Sequence, residues 1–481
     1  MSEHVGYVVA VTELRAHSNA DRLQIATFFG NDTIVGLDVK AGDIGIYFPV
    51  DLQLSEEYCR ENDLVRRKDE NGKDCGGYLD PVKRNIKALR LRGEKSDGLF
   101  MPLSSLDYIY KDKKIALAKF AGFQVGDRID VVLGHEICCK YIPRDTKNTG
   151  NQPAGNRTRK KRVPLAPLFQ EHADTEQLAY NLAAFRPGDL IEITLKMHGT
   201  SQRTGYLPVL KGYTHTNPLY NHILKADPNK LGKIAKKLFD KALATATPVY
   251  DWGYVTGTRR VVLEGSMDGG WYGSNEFRCI HAQALEGKLL KGETVYYEVV
   301  GFTDDKTPIM SEVPNSRISD KDFSKQYGKT TTFSYGCDRD GVNAPQSDFY
   351  VYRMTMTNED GDVVEYTPDF MRYRCEQMGV KCVPMFWKGY IPNQAFFDSW
   401  HDDGSYKNAG EWVKDAAECY YDGPDPVGKT HVREGVVVRI VNRPKFTAYK
   451  HKNFSFKVLE GIAKDEAAAP DMEEVQDIES E

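Results

Sequence analysis

A polar, Gly- and Pro-containing stretch at residues 146–165 divides the 481-residue chain into two unequal parts. Its run Thr146-Lys147-Asn148-Thr149-Gly150-Asn151-Gln152-Pro153-Ala154-Gly155 has no apolar period from which a helix or strand builds a buried face, and it reads as a linker. The basic cluster Arg157-Thr158-Arg159-Lys160-Lys161-Arg162 follows, either as a solvated part of that linker or as a set of phosphate contacts.

Before the linker the chain reads as short strands. Residues 5–13 alternate, 23–29 are strand-like, 43–49 follow a Gly-Asp turn, and 86–91 and 98–101 flank the turn Arg92-Gly93-Glu94. Short strands with frequent turns predict a small β-barrel over residues 1–145. After the linker, residues 166–462 read as a mixed α/β domain. Strands are expected at 190–195, 260–263, 294–300, 349–354 and 435–440, and helices at 231–245 and 412–420. Residues 463–481 are acidic and poor in apolar side chains, which predicts a disordered tail. The fold class is therefore α+β.

Composition removes several function classes. No apolar run approaches the ~20 residues a membrane span needs. The start Met1-Ser2-Glu3-His4 lacks the basic and apolar regions of a secretory signal. Nine scattered cysteines with no CxxC pair predict neither a zinc ribbon nor a disulfide framework, but reduced thiols in a cytoplasm. Histidines without HExxH spacing argue against a zinc hydrolase. A net charge of -5 argues against a general nucleic-acid coat protein.

The chemistry concentrates around one lysine. The alternating run Ile191-Glu192-Ile193-Thr194-Leu195 is a strand that ends at Lys196-Met197-His198-Gly199-Thr200. A lysine at a strand end before a glycine turn can project into a cleft, and the glycine lets backbone approach a phosphate. By itself this is an ordinary surface lysine. Further along, Glu298 lies inside the apolar strand Tyr296-Tyr297-Glu298-Val299-Val300, and Glu434 directly precedes Gly435-Val436-Val437-Val438. Lys450 and Lys452 then share one face of a strand. Charged groups inside apolar strands are rarely buried unless paired. Two acids and three lysines can satisfy one another around a phosphate and a divalent metal. A lysine attacks an α-phosphate only as the neutral amine, so with a reference pKa near 10.4 it needs neighbouring cations or partial burial. Lys450, Lys452 and a metal supply them and also stabilise charge building on the phosphate. Magnesium favours one or two carboxylates plus phosphates, which fits Glu298 and Glu434.

This ordered set, spread over about 260 residues, resembles the covalent nucleotidyltransferase superfamily of ligases and capping enzymes. KxHG in place of KxDG is similar to its RNA-ligase branch, and the nearest likeness is to the Deinococcus-type RNA ligase family with its N-terminal OB domain. The resemblance implies an OB-like barrel followed by an ATP-grasp-like or nucleotidyltransferase domain of mixed antiparallel sheet with helical insertions. It implies Lys196 as the adenylylated nucleophile with His198 and Gly199 beside it. It further implies Arg259 on phosphates, Glu298 and Glu434 as metal-binding acids, Tyr352 stacked on adenine, and Lys450 and Lys452 on phosphates. ATP and Mg2+ or Mn2+ are the implied cofactors.

Alternatives stay open at three places. Arg203 or Arg260 competes with Arg259, because a helical insertion near 212–250 separates that motif from Lys196. Tyr350 or Phe349 competes with Tyr352 as the stacking ring or as core. Lys457 competes with Lys452, because Phe454-Ser455-Phe456-Lys457 also reads as strand.

The segments His17-Ser18-Asn19-Ala20-Asp21-Arg22-Leu23 and Leu89-Arg90-Leu91-Arg92-Gly93-Glu94-Lys95 are similar to tRNA-binding OB domains. That likeness implies Arg90, Arg92 and Lys95 as nucleic-acid contacts, and Arg203 and Arg260 are further candidates. The expected partner is RNA, as a nicked duplex or an RNA/DNA hybrid, handled by a monomer with a role in repair. Rival readings are a capping-type guanylyltransferase, a DNA ligase, or a non-catalytic tRNA-binding protein. An OB domain placed before the catalytic domain argues against the first two. Gly423-Pro424-Asp425-Pro426-Val427-Gly428-Lys429-Thr430 matches a P-loop pattern, but it follows a helix and precedes a strand, the reverse of what that loop requires. The insertions at 302–345 and 365–430 carry aromatics (Phe386, Trp387, Tyr390, Phe396, Phe397, Trp400) expected mainly as core.

Overall fold

The alternation at residues 190–195 builds an inner strand of a five-stranded sheet in the computed structural model, which describes residues 4–50, 52–68, 74–110, 122–141, 163–172, 175–227, 230–259, 261–263, 276–318, 320–398, 408–460 and 463–464. The sheet runs Glu176–Gln177, Ala448–Lys452, Gly435–Ile440, Leu190–Lys196, Met385–Tyr390, antiparallel except at its first pair. Period-two side chains sort onto two faces. Ile191, Ile193, Val436, Val438 and Ile440 are 0–1% exposed and pack with Val413 and Ala417 of the helix Ala409–Tyr421. Burial of each stabilises by about 1.5–3 kcal/mol. That helix starts where Asn408 caps the Glu411 N–H. Glu192, Thr194, Lys196, Val437 and Arg439 face the other way, into a cleft.

A six-stranded sheet forms the opposite wall, with Thr247–Thr258, Thr200–Thr214, Glu293–Gly301, Ser347–Thr357 and Val363–Glu365 antiparallel and Lys381–Cys382 joining parallel to Ser347–Thr357. Val295, Tyr297, Val299 and Val351 bury against Met371, Cys375 and Met378 of the helix Pro368–Met378. Thr367 caps that helix, Pro368 opens it, and Gly379 in the left-handed region closes it.

The first 141 residues carry the expected strands, including Gly6–Ala10, Leu23–Phe28, Ile44–Pro49, Ala88–Leu91 and Gly98–Pro102. The expected closed barrel is not seen among the described residues. Their described strands fall into small sheets of two to four strands, and none closes on itself among the described residues. They hold a core of their own, in which Val8, Ile46, Phe48, Leu52, Tyr58 and Ile137 bury together. Val50 and Ala88 pack with Ile318, Phe323, Val432, Val458 and Leu459, and Tyr180 rests against Tyr7 and Phe29. Residues 463–464, expected in the tail, pair parallel with Ala88 and Leu89. The remainder of the tail, the cluster 157–162 and Arg260 lie outside the described residues.

Three local expectations change. The strand read into residues 454–457 is the helix Phe454–Leu459, because Asn453 caps the Ser455 N–H and turns the chain. Of the strand expected at 260–263, the described residues 261–263 contribute one bridge, Gly257 to Val262, where the chain folds back on the end of the long hairpin. The insertion near 212–250 is a hairpin extension, Thr200–Thr214 against Thr247–Thr258, with the helices Pro218–Ile223 and Lys233–Ala244 at its tip. No described helix is long and apolar enough to cross a membrane.

Candidate active site

Lys196 and Glu434 are 238 residues apart, yet strand pairing brings them together. Gly435 lies opposite both Lys196 and Lys452, so Glu434 leaves the sheet edge between the two lysines. Lys196 Nζ donates to Glu434 Oε1 at 2.5 Å, and Lys452 Nζ stands 3.4 Å from the same oxygen. Glu434 is 2% exposed. Burial would raise its carboxyl, but Lys196, Lys452 and His198 reverse this and hold it below the usual carboxylate range.

His198 Nδ1 is 3.7 Å from Glu434 Oε2. Its ring is wedged edge-on between Phe333 and Phe456, at 4.6 and 4.7 Å between centroids, and its backbone N–H donates to the Tyr335 hydroxyl. Burial drives its pKa down to about 3, so this imidazole is neutral at physiological pH.

Gly199 follows because a neighbour comes close. A Cβ there would lie 2.3 Å from the Val299 carbonyl oxygen and 2.9 Å from Glu298 Cγ. The tight crossing carries the chain from the lysine strand into the second sheet, where Ser201 pairs with Glu298. Glu298 faces Lys196 across the cleft. Burial pushes its carboxyl up to about 7, opposed by Lys196 and Arg259 and assisted by Glu434.

Tyr352 reaches the cleft through a break in register. Tyr296 pairs with Arg353 and Tyr297 with Val351, which leaves Tyr352 as the extra residue of a β-bulge. Its hydroxyl hydrogen-bonds with Ser201 Oγ at 2.9 Å, and His172 stands edge-on at 5.0 Å. Of the rings weighed against it, Phe349 and Tyr350 are buried in core clusters.

The cleft, about 830 Å³, is lined by Lys196, Glu298, Arg259, Tyr352, His172 and Phe446 among others. Its floor holds a polar set that sequence reasoning missed. Arg372 grips the buried Glu192 carboxylate at 2.9 and 2.8 Å, and Arg439 lies beside it. The alternation that put Glu192 on the same strand face as Lys196 was the available signal.

Other expected residues lie elsewhere. Lys450 lines an adjoining cleft of about 430 Å³ with Tyr7, Thr175 and Gln177, and Lys452 stands beside Glu434. Arg203 is 2% exposed, with its guanidinium 4.3 Å from the Phe169 ring centroid, so burial withdraws it from any nucleic acid. Arg90 and Lys95 lie over the Phe454 ring at 5.4 and 4.9 Å, next to the lysine cluster, while Arg92 is exposed at the tip of its hairpin. Lys457 lies on a helix, displaced from the strand register that would make it equivalent to Lys452. The P-loop look-alike has its amides already occupied. The Asp425 carboxylate accepts the N–H groups of Val427, Gly428 and Lys429.

Glu460 is a further residue that sequence reasoning missed. It accepts from Lys452 at 2.7 Å, and burial raises its carboxyl, with Glu434 adding and Lys452 opposing. Atoms of His198, Glu434 and Glu460 lie within 4.8 Å of one another, a grouping that can hold a cation and that does not include Glu298. Glu434 Oε2 is buried with no hydrogen-bond partner among the described residues. An orphaned carboxylate oxygen costs about 1–3 kcal/mol, more when charged. A divalent cation fits here, because it supplies the missing partner.

No family model matches the sequence, and no curated protein matches it by sequence. The fold does match solved structures. A mutant Naegleria gruberi RNA ligase with AMP and Mn has a TM-score of 0.53 at 16% identity, covering 96% of this chain and 99% of that one. A second mutant with ATP and Mn gives 0.51 at 16% identity over 95% and 98%. The same ligase with PPi gives 0.51 at 15% identity over 94% and 98%. The likeness spans nearly the whole of both chains and establishes the fold.

Proposed function

We propose that this chain is an ATP-dependent RNA ligase of the covalent nucleotidyltransferase type, with Lys196 as its nucleophile. One observation carries the reading: Lys196, Glu434, Lys452 and neutral His198 converge at the edge of a ring-lined cleft. The surrounding fold is that of proteins solved as RNA ligases with ATP, AMP and Mn.

The reaction runs in three displacements. Lys196 Nζ attacks the α-phosphorus of ATP; an N–P bond forms and the bond to pyrophosphate breaks. An RNA 5′-phosphate oxygen then attacks the lysyl-AMP phosphorus, and the lysine leaves. Finally an RNA 3′-hydroxyl attacks the activated 5′-phosphate and expels AMP. Tyr352, His172 and Phe446 offer faces and edges for the nucleobase. Arg259 and Lys452 counter phosphate charge. Glu434 would hold a divalent cation together with His198 and Glu460, while Glu298 faces Lys196 across the cleft. When bound, Mg2+ or Mn2+ supplies Lewis-acid stabilisation of the phosphate and favours the neutral amine. Neutral His198 fills the space beside Glu434 without adding a competing positive charge.

The finer reading is a Deinococcus-type ligase that seals a nick in an RNA or RNA/DNA duplex, acting as a cytoplasmic monomer in repair. The N-terminal segment would hold nucleic acid through Arg90, Arg92 and Lys95. Incubation with magnesium and α-labelled ATP tests the core claim. The expected result is a denaturation-resistant label, absent in Lys196→Ala. A label from GTP alone would favour the capping reading. No label from any nucleotide would leave an RNA-binding protein.

A further inference from the structure

The hairpin that leaves the cleft carries a charge pattern the active site does not use. Residues 211–245 hold seven lysines against two aspartates, a net charge of +5 in a chain whose total is -5. The tip is built to display them. In the helix Lys233–Ala244, Phe239 and Ala242 turn inward at 9% and 0% exposure, while Lys236, Lys237 and Lys241 are exposed on the outer arc with Asp240. Lys225 is exposed on the neighbouring turn. None of these four lysines has an ion-pair partner among the described residues, so the field they create is not neutralised locally.

The position is as informative as the charge. The strand Thr200–Thr214 begins beside Gly199, at the cleft, and spans 15 residues. At about 3.3 Å per residue the tip lies roughly 45 Å along the strand from the cleft. That distance matches about 16 base pairs of an A-form RNA duplex at ~2.8 Å each.

We propose that this lysine-bearing tip is a remote grip on the phosphate backbone of a duplex arm of the RNA substrate. The inference rests on the RNA-ligase reading. Lysines are compact point charges on flexible stems, which suits sequence-independent phosphate contact. The cluster would engage substrates with long arms and ignore those too short to reach it.

The test uses the full-length chain with Lys236, Lys237 and Lys241 all changed to Gln, which alters only exposed side chains. Thermal melting checks that the fold is unchanged. Lysyl-AMP formation, measured without RNA, is expected to equal wild type. On nicked duplexes with ~20-pair arms, KM is expected to rise roughly tenfold or more, kcat to hold, and the slope of log binding against log salt to fall by about 3. With ~6-pair arms no change is expected. Equal KM and salt slope on long arms would overturn the proposal, as would an equal loss on short arms. An effect that vanishes once residues 465–481 are deleted would assign the tip to the chain's own acidic tail instead. Loss of binding to anionic phosphatidylserine vesicles with duplex binding intact would assign it to a membrane surface. Duplex binding measured without ATP keeps this test separate from the ligase reading, whose failure shows as absent labelling of the wild type.

Discussion

Gly435 offers the sharpest test of how the site is built, because it touches no substrate in the proposed reaction. It sits opposite Lys196 on one side and Lys452 on the other, directly after Glu434. Its φ is +145°, a conformation side chains rarely adopt, and a Cβ there would lie 2.0 Å from the His451 carbonyl oxygen and 2.8 Å from Lys452 Cα. In Gly435→Ala the backbone strain costs about 1–3 kcal/mol. Forcing a methyl against backbone adds about 1–3 kcal/mol, since neither wall is a flexible side chain. The combined loss of roughly 2–6 kcal/mol is borne by a protein of about 5–15 kcal/mol stability. The fold survives with Tm lowered by roughly 3–10 °C. The strand carrying Lys452 must retreat by about 1 Å or more, and a displacement of that size costs ~100-fold in rate. Single-turnover labelling with α-labelled ATP, well below the lowered Tm, measures that rate. Gly212→Ala is the control, because nothing lies within 4 Å of a Cβ there. Wild-type labelling and an unchanged Tm in Gly435→Ala would refute the claim that this glycine sets the spacing of Glu434 and the two lysines.

Two further predictions follow from the acids. The Glu298 carboxyl titrates near 7 in the fold because burial raises it, so between pH 4.5 and 7 the native state binds more protons than the unfolded one. Stability therefore falls as pH rises through that window, and Glu298→Gln removes the fall. In metal-free urea melts the variant should gain on wild type by up to ~3 kcal/mol from pH 5 to 8, and parallel curves would sink the assignment. Glu460→Gln weakens the grip on Lys452, which keeps Glu434 at 3.4 Å. Labelling should slow roughly tenfold, less than in Lys452→Ala, where the cation itself is gone. Equal rates in Glu460→Gln and wild type would remove Glu460 from the site.

Local periodicity made much of this protein legible. The strand and turn around Lys196, the apolar runs holding Glu298 and Glu434, and the helix Ala409–Tyr421 all follow from side-chain spacing within a few residues. So does the rejection of the P-loop, since strand and helix stand in the wrong order around it. The tertiary structure decided what those residues meet. Antiparallel register puts Glu434 between Lys196 and Lys452 and sends Lys450 to an adjoining cleft, although both lysines share one strand face. A one-residue bulge aims Tyr352, and a cap at Asn453 turns an apparent strand into the helix that delivers Glu460 to Lys452. Arg203 sits in a strand like a surface arginine, but an aromatic from another segment, Phe169, covers it. The barrel expected from short strands and turns depends on how those strands pair; the described ones fall into separate small sheets around a core of their own, with Val50 and Ala88 reaching across to Ile318 and Val458. Spacing along a chain fixes which face a side chain takes. Only the pairing of segments hundreds of residues apart fixes the charge it finds there, and that pairing turns an ordinary lysine before a glycine into a candidate nucleophile.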